Sequence, residues 1–451
     1  TGMTKTYDLI VIGGGTAGNG VARMAADAGW SVASIDSEPH GGTCALRGCD
    51  PKKMLVAVTE GVEWAENMEG KGLEAQPSVN WPDMIAFKRS FTEAMPPRIE
   101  AGLEKAGIDV LHGLARFTGP NTIELNGETL TAKHFHIATG ARPMTLNIPG
   151  EEHLTTSTEF LELPERPNRI AFVGGGFIAM EFAHIVKRAG AREVTVLEMM
   201  DRPLGPFDPD LVAMLVEATE ELGVDLRTKA KVAKIEKQGD EFTVTVETPD
   251  GTETITCDLV VHGTGRVPNI DRLNLEAAGV EYSRRGIKVS DAMRTTNPAI
   301  FAAGDCAASG PKLTPVSAFE GRVAGKNLLA GEDERTVDYP PIPSVVFTLP
   351  MVATVGLSEA VAREQGLKFD THFEKTGDWY SSLRVGAKHT GFKVLVEEGS
   401  GQILGAHLIG PGSEEQINLF AMAMGAGQTA NQIKAMIFAY PSYASDIGSM
   451  V

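Results

Sequence analysis

The run Tyr7-Asp8-Leu9-Ile10-Val11-Ile12-Gly13-Gly14-Gly15-Thr16-Ala17-Gly18 decides how this chain folds. Its apolar half has the length and composition of a buried strand. It breaks directly into a G-x-G-x-x-G turn built on Gly13, Gly15 and Gly18. A helix is predicted from Asn19 to Ala28, then a second strand from Ser31 to Ile35 that ends on the acid Asp36. This is a βαβ unit with a dinucleotide-binding fingerprint. The glycines permit a tight turn and let backbone approach a pyrophosphate at a helix N-terminus, and an acid about 20 residues on is placed for a ribose.

The plan recurs. Arg169-Ile170-Ala171-Phe172-Val173 enters Gly174-Gly175-Gly176-Phe177-Ile178-Ala179, with Gly174, Gly176 and Ala179 at the fingerprint positions, and the next strand, Glu193 to Leu197, ends at Glu198. One such pattern is weak evidence. Two, each between strand and helix and each followed by an acid, imply two dinucleotides.

Between the two fingerprints stands GGTCALRGCDPKK, Gly41 to Lys53, with cysteines at Cys44 and Cys49. Positions five apart on an ideal helix are roughly 140° apart around its axis. A disulfide between them therefore needs a bent or unwound first turn, and bent disulfides are more easily reduced. That is the profile of a pair that opens and closes during turnover; the alternative is two buried small residues that never react. A metal site is disfavoured, because His40 is the only nearby histidine and CxxxxC is poor zinc spacing. Cys257 and Cys306 have no partner nearby in sequence and are expected to be buried.

Composition narrows the class. The chain has 451 residues, 42% hydrophobic, with 50 glycines, which marks a glycine-punctuated α/β enzyme long enough for several domains. A net charge of −18, without a basic tract, argues against nucleic acid or an anionic membrane as partner. No apolar stretch reaches 18 residues, and the N-terminus lacks a signal-peptide core. Thr1-Gly2 before Met3 reads as a cloning remnant, and the expected compartment is cytoplasmic.

Farther along, residues 67–107 alternate helical patches with turns, and residues 109–137 read as a β meander with a type I′ hairpin signal at Asn126-Gly127. Residues 231–262 read as a second meander. Pro340-Pro341-Ile342-Pro343 is a stiff break that opens the last region. There, residues 392–409 read as a hairpin, and residues 413–424 and 430–438 as amphipathic helices.

On these residues the chain resembles the flavoprotein pyridine nucleotide–disulfide oxidoreductases, which include glutathione reductase, dihydrolipoamide dehydrogenase and mercuric reductase. The likeness runs from Tyr7 to the C-terminus. It is carried by GGTCALRGCDPKK, by Ala138-Thr139-Gly140, by Gly265-Arg266-Val267-Pro268-Asn269 and by the run from Thr296 to Asp305. The implied fold is α/β: two Rossmann-like nucleotide-binding domains, one inserted in the other, plus a C-terminal α+β dimerisation domain. The implied boundaries are 3–148 and 269–338 for the FAD-binding domain, 149–268 for the NAD(P)-binding domain and 339–451 for the dimerisation domain of a homodimer.

The resemblance also implies roles. FAD would be held by Gly13, Gly15, Gly18, Asp36, Gly42, Thr43, Lys53, Ala138, Thr139, Gly140, Gly265, Arg266, Gly304 and Asp305. A helix starting at Thr314-Pro315 would point its positive end at the flavin. Cys49 would be the flavin-proximal sulfur and Cys44 the sulfur that attacks substrate. Lys52 would lie near the flavin ring, paired with Glu181, and Phe177 would lid the nicotinamide pocket. Arg23 and Arg322 match arginines shared across the family and specify no substrate.

Several positions depart from the family. Arg47 and Asp50 bring charges into the cysteine loop, either to tune the thiols or to bridge each other. Glu198, followed by Met199-Met200-Asp201 with Arg202 as the only nearby cation in sequence, favours NADH over NADPH. At the C-terminus Tyr440-Pro441 stands where disulfide reductases carry His-Pro. Tyr440 is thus a candidate acid or a packing residue at the dimer contact, and a poor base at neutral pH. The chain also lacks a C-terminal vicinal cysteine pair, unlike standard mercuric reductases. The expected activity is NAD(P)H-dependent reduction of a small-molecule oxidant, a disulfide or another thiol-reactive compound. Alternatives are a metal-ion or quinone reductase on the same flavin, and a non-catalytic flavoprotein subunit.

Overall fold

The computed structural model describes residues 5–74 and 76–451, so the Thr1-Gly2-Met3 segment lies outside the described residues. The chain divides into two compact units. The first comprises the chain up to Lys52, Ala86–Met144 and Arg266–Tyr339; the second comprises Lys53–Ile85, Thr145–Gly265 and Pro340–Val451. The second nucleotide-binding fingerprint therefore sits in a segment inserted between parts of the unit that holds the first.

In chain order, the N-terminal part contains β1 (Lys5–Ile12), α1 (Thr16–Asp27), β2 (Val32–Asp36), α2 (Gly42–Arg47), α3 (Cys49–Met68), α4 (Trp81–Thr92), α5 (Met95–Lys105), β3 (Asp109–His112), β4 (Arg116–Gly119), β5 (Thr122–Leu125) and β6 (Glu128–Ile137). The order β3-β2-β1-β6 is parallel throughout, with Ile12 opposite both Ile35 and Ile137. Leu9, Ile10 and Val11 are fully buried, as expected for a strand covered on both faces. α1 starts at Thr16, earlier than the predicted Asn19, because Gly13 (φ 114°) turns the chain at once. A Cβ at Gly13 would meet the Ala138 carbonyl oxygen at 2.0 Å, so this crossing requires glycine.

Strand Ile300–Ala302 adds to β6 in parallel, while β5 and β4 continue the same sheet antiparallel. The hairpin between β5 and β6 turns through Asn126 (φ 52°) and Gly127 (φ 82°), both left-handed as a type I′ turn requires. The meander expected over residues 109–137 is corrected at its start. β3 pairs in parallel with β2, because helix α5 precedes it and crosses it back to the sheet. Helix Thr314–Ala330 shares a core with α1 through Val21, Ala22, Val323, Ala324 and Leu328.

The second unit holds three sheets. Val224–Arg227, Glu193–Leu197, Arg169–Val173 and Leu259–His262 form a parallel sheet in that order. Lys231–Gln238, Glu241–Thr248 and Gly251–Cys257 form the expected antiparallel meander. The meander ends earlier than predicted, since Leu259–His262 leaves it to pair with Arg169–Val173 and buries Val260 and Val261 there.

The C-terminal region is a five-stranded antiparallel sheet that includes the Gly391–Glu397/Ile403–Ile409 hairpin. Helix Ser413–Gly425 covers it, with Ile417 and Phe420 packed on Phe392, Val394 and Leu408. The helix predicted over 430–438 stops at Lys434. Beyond it Ile437 is 99% exposed, so no apolar face within the chain holds further turns in place.

Candidate active site

The C-terminal ends of β1, β6 and Ile300–Ala302 lie side by side in one sheet, so the turns that follow them gather at one edge. There Asp36 Oδ2 accepts from the Gly14 N–H at 2.7 Å and Oδ1 from the Glu38 N–H at 2.9 Å. These bonds fix the carboxylate and leave lone pairs for ribose hydroxyls. The Asn269 N–H donates to Gly140 O at 2.9 Å, and Arg266 donates to Ala141 O at 2.6 Å. Asp305 sits in the turn Gly304–Cys306, where burial pushes its carboxyl up while Lys312 and Arg266 pull it down.

The cysteine segment is held against this turn. The Gly41 N–H donates to Gly14 O at 2.9 Å. A Cβ at Gly42 would come within 2.6 Å of Gly15 Cα. The edge thus brings together glycine backbone, a carboxylate fixed by two N–H groups and the N-terminus of α1. Those are the features FAD needs for its pyrophosphate and ribose.

Helix α2 ends at Gly48 (φ −144°, ψ −116°), and Cys49 is the first residue of α3. The break removes the roughly 140° separation of an unbroken helix and lets the two sulfurs meet. Both cysteines are thiols here, Cys44 half-buried and Cys49 exposed. They share a hydrogen bond, and the Cys49 sulfur is 3.8 Å from Thr314 Oγ1. The bond from Cys44 holds the Cys49 thiol down at about 6, helped by the Lys52 ammonium and the Thr314 hydroxyl and opposed by burial and Asp50. The same bond pushes Cys44 far up, with burial and the Asp50 carboxylate adding to it. The shared bond thus favours negative charge on Cys49 and retention of the proton on Cys44. Arg47 pairs with Glu38 at 3.6 Å rather than with Asp50. Lys52 is buried.

In the second unit the first turn is repeated almost bond for bond. Glu198 Oε2 accepts from the Gly175 N–H and Oε1 from the Met200 N–H, each at 2.7 Å. Gly174 has φ 96°, and a Cβ there would meet Gly263 O at 2.5 Å. Gly176 is the N-cap of helix Phe177–Arg188, where Ala179 is buried and Phe177 is half-exposed. Glu181 is buried and accepts from the Phe347 N–H at 3.0 Å. Arg202 is tied to the carbonyls of Leu204, Gly205 and Phe207. Lys229 is an exposed residue whose backbone N–H donates to Met200 O at 2.8 Å, so its backbone adjoins the turn after Glu198, a neighbour that sequence order hid.

Lys53 reaches Glu60 at 3.3 Å and lies 4.6 Å above the Phe347 ring, in the second unit. Tyr440 is 79% exposed. His407 is buried between Thr354 Oγ1 (2.7 Å) and Leu357 O (3.0 Å). Cys257 and Cys306 are buried, Cys306 donating to Ile137 O and Ala303 O. Thr314 had been legible only as a helix start; its hydroxyl beside Cys49 emerges from the fold.

A family model described as pyridine nucleotide-disulphide oxidoreductase matches residues 7–321, and one for that family's dimerisation domain matches residues 342–451. The chain is 34% identical over 447 residues to a mercuric reductase from Bacillus cereus, covering 98% of this chain and 70% of that protein. It is 33% identical over 442 residues to a glutathione reductase from Burkholderia cepacia, covering 98% and 97%. Among solved structures it is similar to the Cu(II) complex of the HOCl-induced flavoprotein disulfide reductase RclA from Escherichia coli. That match has a TM-score of 0.89 and 27% identity, and covers 99% of each chain. Among the described residues no helix is long and apolar enough to cross a membrane.

Proposed function

The chain belongs to the pyridine nucleotide-disulphide oxidoreductase family, and from that premise we propose that Cys49 and Cys44 pass reducing equivalents from NADH to a small disulfide or thiol-reactive oxidant. The protein is an FAD-dependent NAD(P)H oxidoreductase with a dimerisation domain. The observation that supports the residue assignment is geometric: the break at Gly48 brings the two sulfurs into a mutual hydrogen bond, with the Cys49 sulfur 3.8 Å from Thr314 Oγ1.

FAD, when bound, supplies two-electron transfer between the nicotinamide and the sulfur pair. Gly13, Gly15, Gly18, Asp36, Gly42, Thr43, Ala138, Thr139, Gly140, Arg266, Gly304 and Asp305 would hold it. Thr314 and Pro315 would present the positive helix end, which favours negative charge there.

For a disulfide substrate the chain's own chemistry balances as follows. Cys44 gives its proton along the hydrogen bond to Cys49, and the Cys44 thiolate attacks one substrate sulfur. The substrate S–S bond breaks, a mixed disulfide forms on Cys44 and one thiolate leaves. Cys49 then gives its proton to the departed thiolate and attacks the Cys44 sulfur, which closes the Cys44–Cys49 disulfide and expels the second thiolate. A solvent proton completes the second product thiol, and the two electrons and one proton of the NADH hydride restore the thiol–thiolate pair. We assign Tyr440 as a donor to the leaving thiolate and Phe177 as the nicotinamide lid, with Lys52 and Glu181 at the flavin end of the path.

NADH rather than NADPH is supported by Glu198, which would meet a 2′-phosphate with negative charge, and by Arg202 being spent on three carbonyls. Lys229 favours the second reading, NADPH. A reducing compartment such as the cytoplasm suits a pair that must be reopened each cycle. The deciding experiment is anaerobic titration with NADH and with NADPH, then a panel of glutathione disulfide, lipoamide, other small disulfides, mercuric ion and quinones. Turnover with a disulfide that vanishes in Cys44→Ser supports the thiol route; equal turnover without Cys44 overturns it.

A further inference from the structure

We propose that His40, Glu100 and His112 form a binding site for a divalent transition ion of the zinc class. The three residues come from the loop after β2, from α5 and from the last position of β3, all within the first unit. Their ligand atoms all lie within 4.8 Å of one another. Glu100 Oε1 is 3.4 Å from His40 Nδ1 and 3.2 Å from His112 Nε2. Bonds of about 2.1 Å at tetrahedral angles place neighbouring donors about 3.4 Å apart, so both measured edges fit one small ion. The imidazole rings are nearly perpendicular, at 86° with centroids 5.2 Å apart, so they approach a shared centre from different directions.

A hydrogen-bonded cluster alone leaves this arrangement unfinished. His40 is fully buried, and its Nδ1 has no hydrogen-bond partner. A buried ring nitrogen without a partner is costly to the fold, and a bound cation would satisfy it. His40 Nε2 is 3.2 Å from Ser34 Oγ; a proton on Nε2 serves that contact and leaves the Nδ1 lone pair facing Glu100. A neighbour that fixes the tautomer of a ligating histidine is the usual outer support of a metal site. Two imidazoles and a carboxylate select zinc-like ions over magnesium or calcium, which take oxygen donors. The His112 side chain is 55% exposed and that of Glu100 27%, which gives the ion an entry path and room for a water as fourth ligand. The site joins the strand that ends beside the FAD cradle to the loop that leads into Cys44.

The test uses the FAD-loaded protein with Cys44→Ser and Cys49→Ser, so that thiolates do not compete for metal. After chelator treatment, calorimetric titration with zinc chloride is expected to show one equivalent bound, and His112→Ala is expected to weaken binding at least tenfold. Glu100→Gln should weaken it comparably, which guards against a folding defect in one variant. Flavin content and chelated melting temperature report that each variant is intact. Magnesium should show no saturable binding. The absence of stoichiometric zinc binding, an affinity in intact His112→Ala and Glu100→Gln proteins equal to that of the parent protein, or magnesium binding as tight as zinc would each overturn the assignment.

Discussion

Thr314 Oγ1 lies 3.8 Å from the Cys49 sulfur, placing the first residue of one helix against the first residue of another. A thiolate at that position has two helix N-termini and a hydroxyl near it, each favouring negative charge. Thr314→Val is therefore expected to raise the Cys49 pKa above its value of about 6. Cys44→Ser weakens the largest contribution, the thiol hydrogen bond, and should raise it further. Alkylation rate of the reduced enzyme against pH reads the shift directly. Identical profiles for wild type and both variants would remove this explanation of the pair's asymmetry.

Cys44→Ser should also separate two routes for electrons. Reduction of small disulfides is expected to fall by at least about a thousandfold, because no sulfur remains to form the mixed disulfide. NADH-dependent reduction of a quinone, which needs no thiol, should persist within a few-fold. Parallel loss of both activities would show that the serine variant damages the flavin site rather than the relay.

Glu198 accepts from Gly175 and Met200, so Glu198→Ala removes both a ribose ligand and the brace of its own turn. The expected outcome is a KM for NADH raised about tenfold, in line with about 1.4 kcal/mol, with kcat less affected. NADPH should become relatively better as the negative charge disappears. Lys229→Ala should lower any NADPH activity and leave NADH unchanged. Steady-state kinetics with both nucleotides distinguish the two residues, and an unaltered NADH/NADPH ratio in Glu198→Ala would refute the preference argument.

Stability should depend on pH through buried histidines. Burial pushes His136 down to about 4 and holds His184 and His407 below the usual histidine value. In the unfolded chain these groups protonate near 6.5. Between that pH and their folded values the unfolded state binds more protons, so stability is fullest above about 6.5 and is lost as pH falls. Each fully shifted histidine contributes about 1.4 kcal/mol per pH unit inside that window. Urea unfolding at pH 7.5, 6 and 5 should show a falling midpoint, with a shallower decline in His136→Gln. A midpoint flat from pH 7.5 to 5 would contradict the assignment.

What the sequence made legible was local. Both glycine turns, their flanking strands and the acids Asp36 and Glu198 lie within short stretches whose chemistry is written in order. Sheet partners were harder. Asp109–His112 and Leu259–His262 are short apolar runs that look like meander strands, and only the crossover helix or the competing parallel edge decides where they pair. The end of the helix at Lys434 depends on what covers Ile437. Thr314 is 265 residues from Cys49, and Lys229 reaches Met200 only because strands Val224–Arg227 and Glu193–Leu197 run side by side. No spacing rule could have joined those pairs.

The close approach of Gly42 to Gly15 carries a consequence for engineering. A library that randomises the cysteine loop to change substrate range must leave position 42 untouched, and one that redesigns the nucleotide turn must respect position 15. The redox loop and the dinucleotide cradle are thus one heritable block: neither can drift, be grafted or be swapped into another scaffold without carrying the other along.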